Sequence, residues 1–171
     1  MNKADYVQMR IFAPEFKMPC KLDDRYSYIE ISEYSQEKDL LKIIDSINET
    51  LSDWKDRPDI DNLKKRFDVG CSCFIQYFKG EVCGWFWTCD FLTYDWIEKV
   101  KDLPTPNSNY SGGTYVIKKV APRNAGYQLY AYCIQKVMSR TDYGYAYVDK
   151  WNKAPIRLNF NCGATYIDNL L

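Results

Sequence analysis

Two short runs constrain this chain more than anything else in it. Cys71 to Phe78 and Val82 to Thr88 are separated only by Lys79-Gly80-Glu81. Phe74, Tyr77, Phe78, Trp85, Phe86 and Trp87 are aromatic, the kind of side chain that packs on a half-buried pleated surface. Runs of this length around a glycine-containing turn predict a β-hairpin. A hairpin with so much apolar surface is not stable alone in water. It needs further strands beside it and helices against its faces.

The remaining sequence supplies both. Arg25 to Ile31 alternates, with Tyr26, Tyr28 and Glu30 opposite Ile29 and Ile31, and predicts an earlier strand. Leu40, Ile43, Ile44, Ile47 and Leu51 recur at helical spacing after Ser35, an N-cap candidate. A further helix is expected from Asp59 to Phe67, past the break at Pro58. Thr114 to Val120 reads as a strand stopped by Pro122. Tyr130, Cys133, Ile134, Val137 and Met138 then form one continuous apolar stripe of a second strong helix. Tyr145 to Asp149 predicts a strand, Lys153 to Asn161 a helix ending near Gly163, and Ala164 to Asn169 a last strand. Pro14 and Pro19 interrupt the first 25 residues, which are expected to be irregular. Residues 89–109, with Pro104, Pro106 and a short helix around Tyr94 to Val100, read as an insertion between strands. An antiparallel front half and an alternating back half indicate one α/β domain with a mixed sheet. A length of 171 residues suits a single domain.

Composition narrows the chemistry. The 23 acidic residues balance the 23 basic ones, so no global field steers the chain toward nucleic acid or an anionic membrane. No apolar run reaches the roughly 18 residues of a membrane span, and Met1 to Tyr6 lacks a signal-peptide stretch. A cytoplasmic location with reduced thiols is the expectation. The seven cysteines have no zinc-site spacing and the chain has no histidine, so no metal is expected and the thiols read as small buried hydrophobes. Without an imidazole, proton transfer near neutral pH must use a carboxylate, a thiol, a tyrosine or water. Asp149, on the face of Tyr145 and Tyr147, is a candidate base, although a strand-end carboxylate is more often simply solvated. Glu81 belongs to an exposed turn, while Asp90 and Asp95 fall in the insertion. Cys83 or Cys133 as a nucleophile would need a depressed pKa, and no basic neighbour is adjacent in sequence. Trp85, Trp87, Tyr94, Trp96, Tyr110 and Tyr115 could wall an acceptor pocket, although core packing accounts for most of them.

The segment Val120-Ala121-Pro122-Arg123-Asn124-Ala125-Gly126-Tyr127-Gln128 joins a strand to the strongest helix. Amides at a helix N-terminus lack intrahelical acceptors and carry the positive end of the dipole. Such a turn can bind a diphosphate, and Gly126 would let it approach the backbone.

Here the sequence resembles the GNAT superfamily of acyl-coenzyme A transferases. Arg123-x-x-Gly126 is similar to the start of that family's diphosphate loop, and Asn152, Ile156-Arg157-Leu158 and Gly163 match a second patch. Val82-x-Gly84-Trp85 resembles the strands before the cofactor site, and together these features cover about residues 71–169. The resemblance implies a single GNAT-like domain over 1–171, with a mixed, mainly antiparallel twisted sheet flanked by helices. It implies acetyl-coenzyme A as co-substrate, held by Arg123, Asn124, Ala125, Gly126, Tyr127 and Gln128 at the diphosphate and by Lys119 and Val120 at the pantetheine amides. Asn152 would line the pantetheine channel. The implied reaction is direct acyl transfer to a small-molecule primary amine such as an amino sugar, with strand amides stabilising the oxyanion. Three positions depart from the family pattern. Gln128 stands where a glycine or alanine closes the loop, and its side chain could crowd the diphosphate. Asn159 stands where a tyrosine often protonates the departing thiolate, and Gly163-Ala164 replaces a Gly-Phe pair. Gln128 and Asn159 favour the rival expectation of an inactive binding or assembly module. With the sequence ending soon after Leu170, the sheet is expected to lack a final strand found in many relatives, one that a second copy in a homodimer could supply.

Overall fold

A computed structural model of the chain describes residues 6–33, 60–90, 107–117 and 119–167. The described residues form one seven-stranded sheet and three α-helices. In chain order these are β1 (Tyr6–Phe12), β2 (Tyr26–Ile31), α1 (Ile60–Asp68), β3 (Cys71–Phe78), β4 (Glu81–Asp90), β5 (Ser108–Val116), α2 (Ala125–Met138), β6 (Tyr143–Asp149), α3 (Lys153–Asn161) and β7 (Thr165–Tyr166). The sheet order is β2-β3-β4-β5-β6-β1-β7. Every pairing is antiparallel except β5 with β6.

The predicted hairpin forms as β3 and β4, with Phe74 opposite Phe86 and Ile75 opposite Trp85. Its turn places both Lys79 (φ 53°) and Gly80 (φ 85°) in the left-handed region, as the tight turns that match strand twist require. Alternation then sends successive residues to opposite faces. On one face Phe74 and Phe86 meet Leu129, Tyr130, Cys133 and Ile134 of α2 and Ile156 and Leu158 of α3. On the other, Cys73, Ile75, Trp85 and Trp87 pack with Ile31 and with Phe67 of α1. Trp85 stacks on Tyr115, so these two rings belong to the core rather than to an acceptor pocket. Tyr94 and Trp96 of that predicted wall, Asp95, and the predicted helix after Ser35 lie outside the described residues.

The first 25 residues correct the expectation of an irregular segment. β1 lies between β6 and β7, with Met9 opposite Ala146 on one side and Tyr166 on the other. Met9 and Ile11 are buried in the core under α2 and α3, while Gln8 and Arg10 alternate to the other face. The alternation is legible in Val7-Gln8-Met9-Arg10-Ile11, but Pro14 and Pro19 obscured it. β1 is therefore an inner strand of the sheet rather than part of an irregular segment. The predicted strand Thr114 to Val120 also moves, to Ser108–Val116. The limits expected for the insertion shrink accordingly: residues 89–90 end β4 and residues 108–109 begin β5.

Candidate functional site

The site is built from the one parallel pair in the sheet. β5 and β6 are paired from Ser108↔Tyr143 to Ser111↔Ala146, and not beyond. Gly112–Val116 and Tyr147–Asp149 continue as strands, so past Ser111 and Ala146 the two facing edges part and leave a fork. The cause lies in β5. Trp85 faces Tyr115 and Trp87 faces Gly112, so β5 carries one residue more than β4 across that interval. Gly113, at φ 75°, provides the left-handed conformation such a bulge uses. A bulge bends its strand, and here it turns β5 away from β6. Ile117 donates its N–H to Cys83 O on β4 at 2.9 Å. Strand alternation therefore points the N–H and C=O of Val116 the other way, into the fork.

Because the pair is parallel, the fork opens at the C-terminal ends of both strands, where the connections to α2 and α3 begin. A Cβ on Gly126 would lie 3.2 Å from Val116 Cγ2. Gly126 thus lets the first turn of α2 press against the end of β5. Ala125 N–H donates to Pro122 O, and the amides of Tyr127 and Gln128 both donate to Asn124 O. The amides of Arg123, Asn124 and Gly126 find no acceptor among the described residues. Asn124 precedes the helix but gives it no side-chain cap; its Oδ1 accepts from Tyr26 Oη at 2.8 Å. Among the described residues, none caps the positive end of α2 with a side chain.

Gln128 does not crowd this turn. Its side chain is buried and faces the N-terminal segment: Oε1 accepts from Asp23 N–H at 2.8 Å, and Nε2 donates to Lys21 O at 3.2 Å. Gln76, missed in the sequence reading, holds the same turn from beneath. It is fully buried, its Nε2 donates to Ala125 O at 3.1 Å, and its Oε1 accepts from Cys83 Sγ at 3.3 Å. The signal was a lone amide in the otherwise apolar end of Cys73-Phe74-Ile75-Gln76-Tyr77-Phe78.

Lys119 and Val120 lie beyond β5, in a turn where Val120 N–H and Ala121 N–H both donate to Ile117 O. The strand edge that borders the fork ends instead at Val116. Asn152 immediately precedes α3, half-buried and without a side-chain cap bond. It shares the open end of the fork with Asp149, whose carbonyl accepts the Asn152 N–H at 2.9 Å. Asn159 is nearly inaccessible at 2% exposure. It accepts from the Tyr130 hydroxyl and donates to Pro155 O at 2.9 Å, so it is a core group and not a proton donor. Burial pushes the Cys83 thiol up to about 12 and the Cys133 thiol well above its ordinary range. Neither offers a thiolate near neutral pH. Two buried side-chain polar atoms among the described residues have no partner, Ser111 Oγ and Gln8 Nε2. Ser111 is the last β5 residue paired to β6, and Gln8 lies opposite Tyr147, the first β6 residue past the pairing. Ser111 thus sits where the β5–β6 pairing ends, whereas Gln8 lies on β1, across β6 from the fork.

No family model and no curated protein matches the sequence. Solved structures do match. An aminoglycoside acetyltransferase from an uncultured soil metagenomic sample, crystallised with sisomicin, superposes with a TM-score of 0.59 at 12% identity, over 83% of this chain and 90% of that one. A tandem GNAT protein of the clavulanic acid biosynthesis pathway gives a TM-score of 0.62 at 11% identity, over 95% of this chain and 50% of that one. A GCN5-related N-acetyltransferase from Sphaerobacter thermophilus gives 0.62 at 12% identity, over 95% and 48%. The chain thus spans about half the length of the last two. The mixed sheet flanked by helices thus shares the fold of these acetyltransferase structures.

Proposed function

We propose that this chain is an acyl-CoA-dependent N-acyltransferase, most simply an acetyltransferase, acting on a small-molecule primary amine. The observation that carries this reading is the uncapped N-terminus of α2 beside the end of β5, where the Arg123, Asn124 and Gly126 amides have no acceptor among the described residues. Those amides suit a diphosphate. The fork edge at Thr114–Val116, rather than Lys119 and Val120, suits the pantetheine amides, and Asn152 borders the same opening. A bound acyl-CoA would supply an activated acyl group. The chain's own part is to hold it in line with an amine and to keep strand amides beside the carbonyl oxygen. One aminoglycoside acetyltransferase of this fold, solved with sisomicin and with trehalose, favours an amino sugar as the acceptor class.

One observation favours a second reading, an inactive acyl-CoA-binding module: Asn159 is a buried structural amide where a proton-donating tyrosine would stand. Calorimetry with acetyl-coenzyme A, followed by a thiol-release assay over an amine panel that includes sisomicin, separates the two. Saturable binding with turnover supports the transferase. Binding without turnover supports the module, and no binding at millimolar ligand refutes both.

A further inference from the structure

α2 starts beside an asparagine that does not cap it. A residue at this position ordinarily adopts an extended backbone and turns its side-chain oxygen onto a first-turn amide. Asn124 does neither: its φ and ψ are −94° and 1°, and no cap bond forms. Its Oδ1 is held instead by Tyr26 Oη at 2.8 Å, from the edge strand β2. Tyr26 is itself fixed, 6% exposed with its ring 5.3 Å from that of Phe78. A cap and a bound anion would compete for the same amide, that of Gly126. A further buried group without a partner among the described residues, Ser111 Oγ, lies where the β5–β6 pairing ends.

We propose that Tyr26 is a positioning residue that withholds the Asn124 carboxamide from its own helix, keeping the first-turn amides open for a ligand diphosphate. This rests on the coenzyme A reading above. Without the Tyr26 hydroxyl, Asn124 is free to turn into the extended capping conformation and cover the site from within. The bland alternative is that the Tyr26–Asn124 bond merely fastens β2 to the loop. The two accounts differ in sign. A lost fastening lowers stability and affinity together, whatever residue 124 is. A lost restraint trades one hydrogen bond for a helix cap, so affinity falls while stability holds.

The test is a double-mutant cycle with coenzyme A itself as the probe, read by calorimetry and by thermal melting. Tyr26→Phe is expected to raise the Kd about fivefold with an unchanged or higher Tm. In an Asn124→Ala background, the same Tyr26→Phe change is expected to leave the Kd where that background puts it. An unaltered Kd in the single variant, or an equal loss in both backgrounds, overturns the restraint while leaving the coenzyme A reading intact. Failure of the unmutated protein to bind coenzyme A removes that reading and the restraint with it.

Discussion

Replacing Gln128 with leucine tests the assignment that most separates the structure from the loop pattern. Leucine has nearly the same volume, so little cavity should follow. What is lost is the pair of bonds that tie α2 to the N-terminal segment: Asp23 N–H to Oε1 at 2.8 Å and Nε2 to Lys21 O at 3.2 Å. Both lie at part-buried positions, where leaving a backbone group unpaired costs about 1–3 kcal/mol each. Partial access to water brings the sum to about 2–3 kcal/mol. For a domain of 171 residues that corresponds to a Tm lower by roughly 4–12 °C. Urea denaturation should show a reduced midpoint at constant m-value. Coenzyme A affinity should not improve, because the side chain never faces the diphosphate turn. If the variant kept its full stability and bound coenzyme A more tightly, Gln128 would be an obstruction in the loop, and its anchoring of α2 to Lys21 and Asp23 would be wrong.

Two further outcomes follow from burial. Met9→Ala, at 1% exposure in the core shared with α2 and α3, should cost about 2–5 kcal/mol; denaturation showing a loss of well under about 1 kcal/mol would contradict an inner position for β1. Six of the seven cysteines are buried and Cys20 is intermediate, with burial raising the Cys20 thiol as well. Ellman's reagent at about pH 8, near the ordinary thiol pKa, should therefore find no more than one promptly reactive thiol in the folded protein and all seven after unfolding. Two or more fast thiols would refute the burial of at least one of the other six.

Local pattern was enough to read much of this molecule. Cys71 to Phe78 and Lys153 to Asn161 have in the structure the limits their periodicity indicates, because side-chain alternation and helical spacing are properties of a few neighbouring residues. Gly163, at φ 92°, ends α3 for a reason visible in its lack of a Cβ. The stripe from Tyr130 to Met138 is buried as its spacing requires. The turn from Arg123 to Gln128 was likewise placed by its position between a strand and a helix. Long-range partnership decided the rest. Residues 6–12 form a strand because β6 and β7 present edges to them, a fact nothing near Pro14 encodes. The fork depends on a one-residue excess of β5 over β4, which only the register of two paired strands defines. Gln128 and Asn124 each take their partner about a hundred residues away, in Asp23 and Tyr26. A side chain's role is set by what it can reach, and for these residues the reach was fixed when the sheet closed around them.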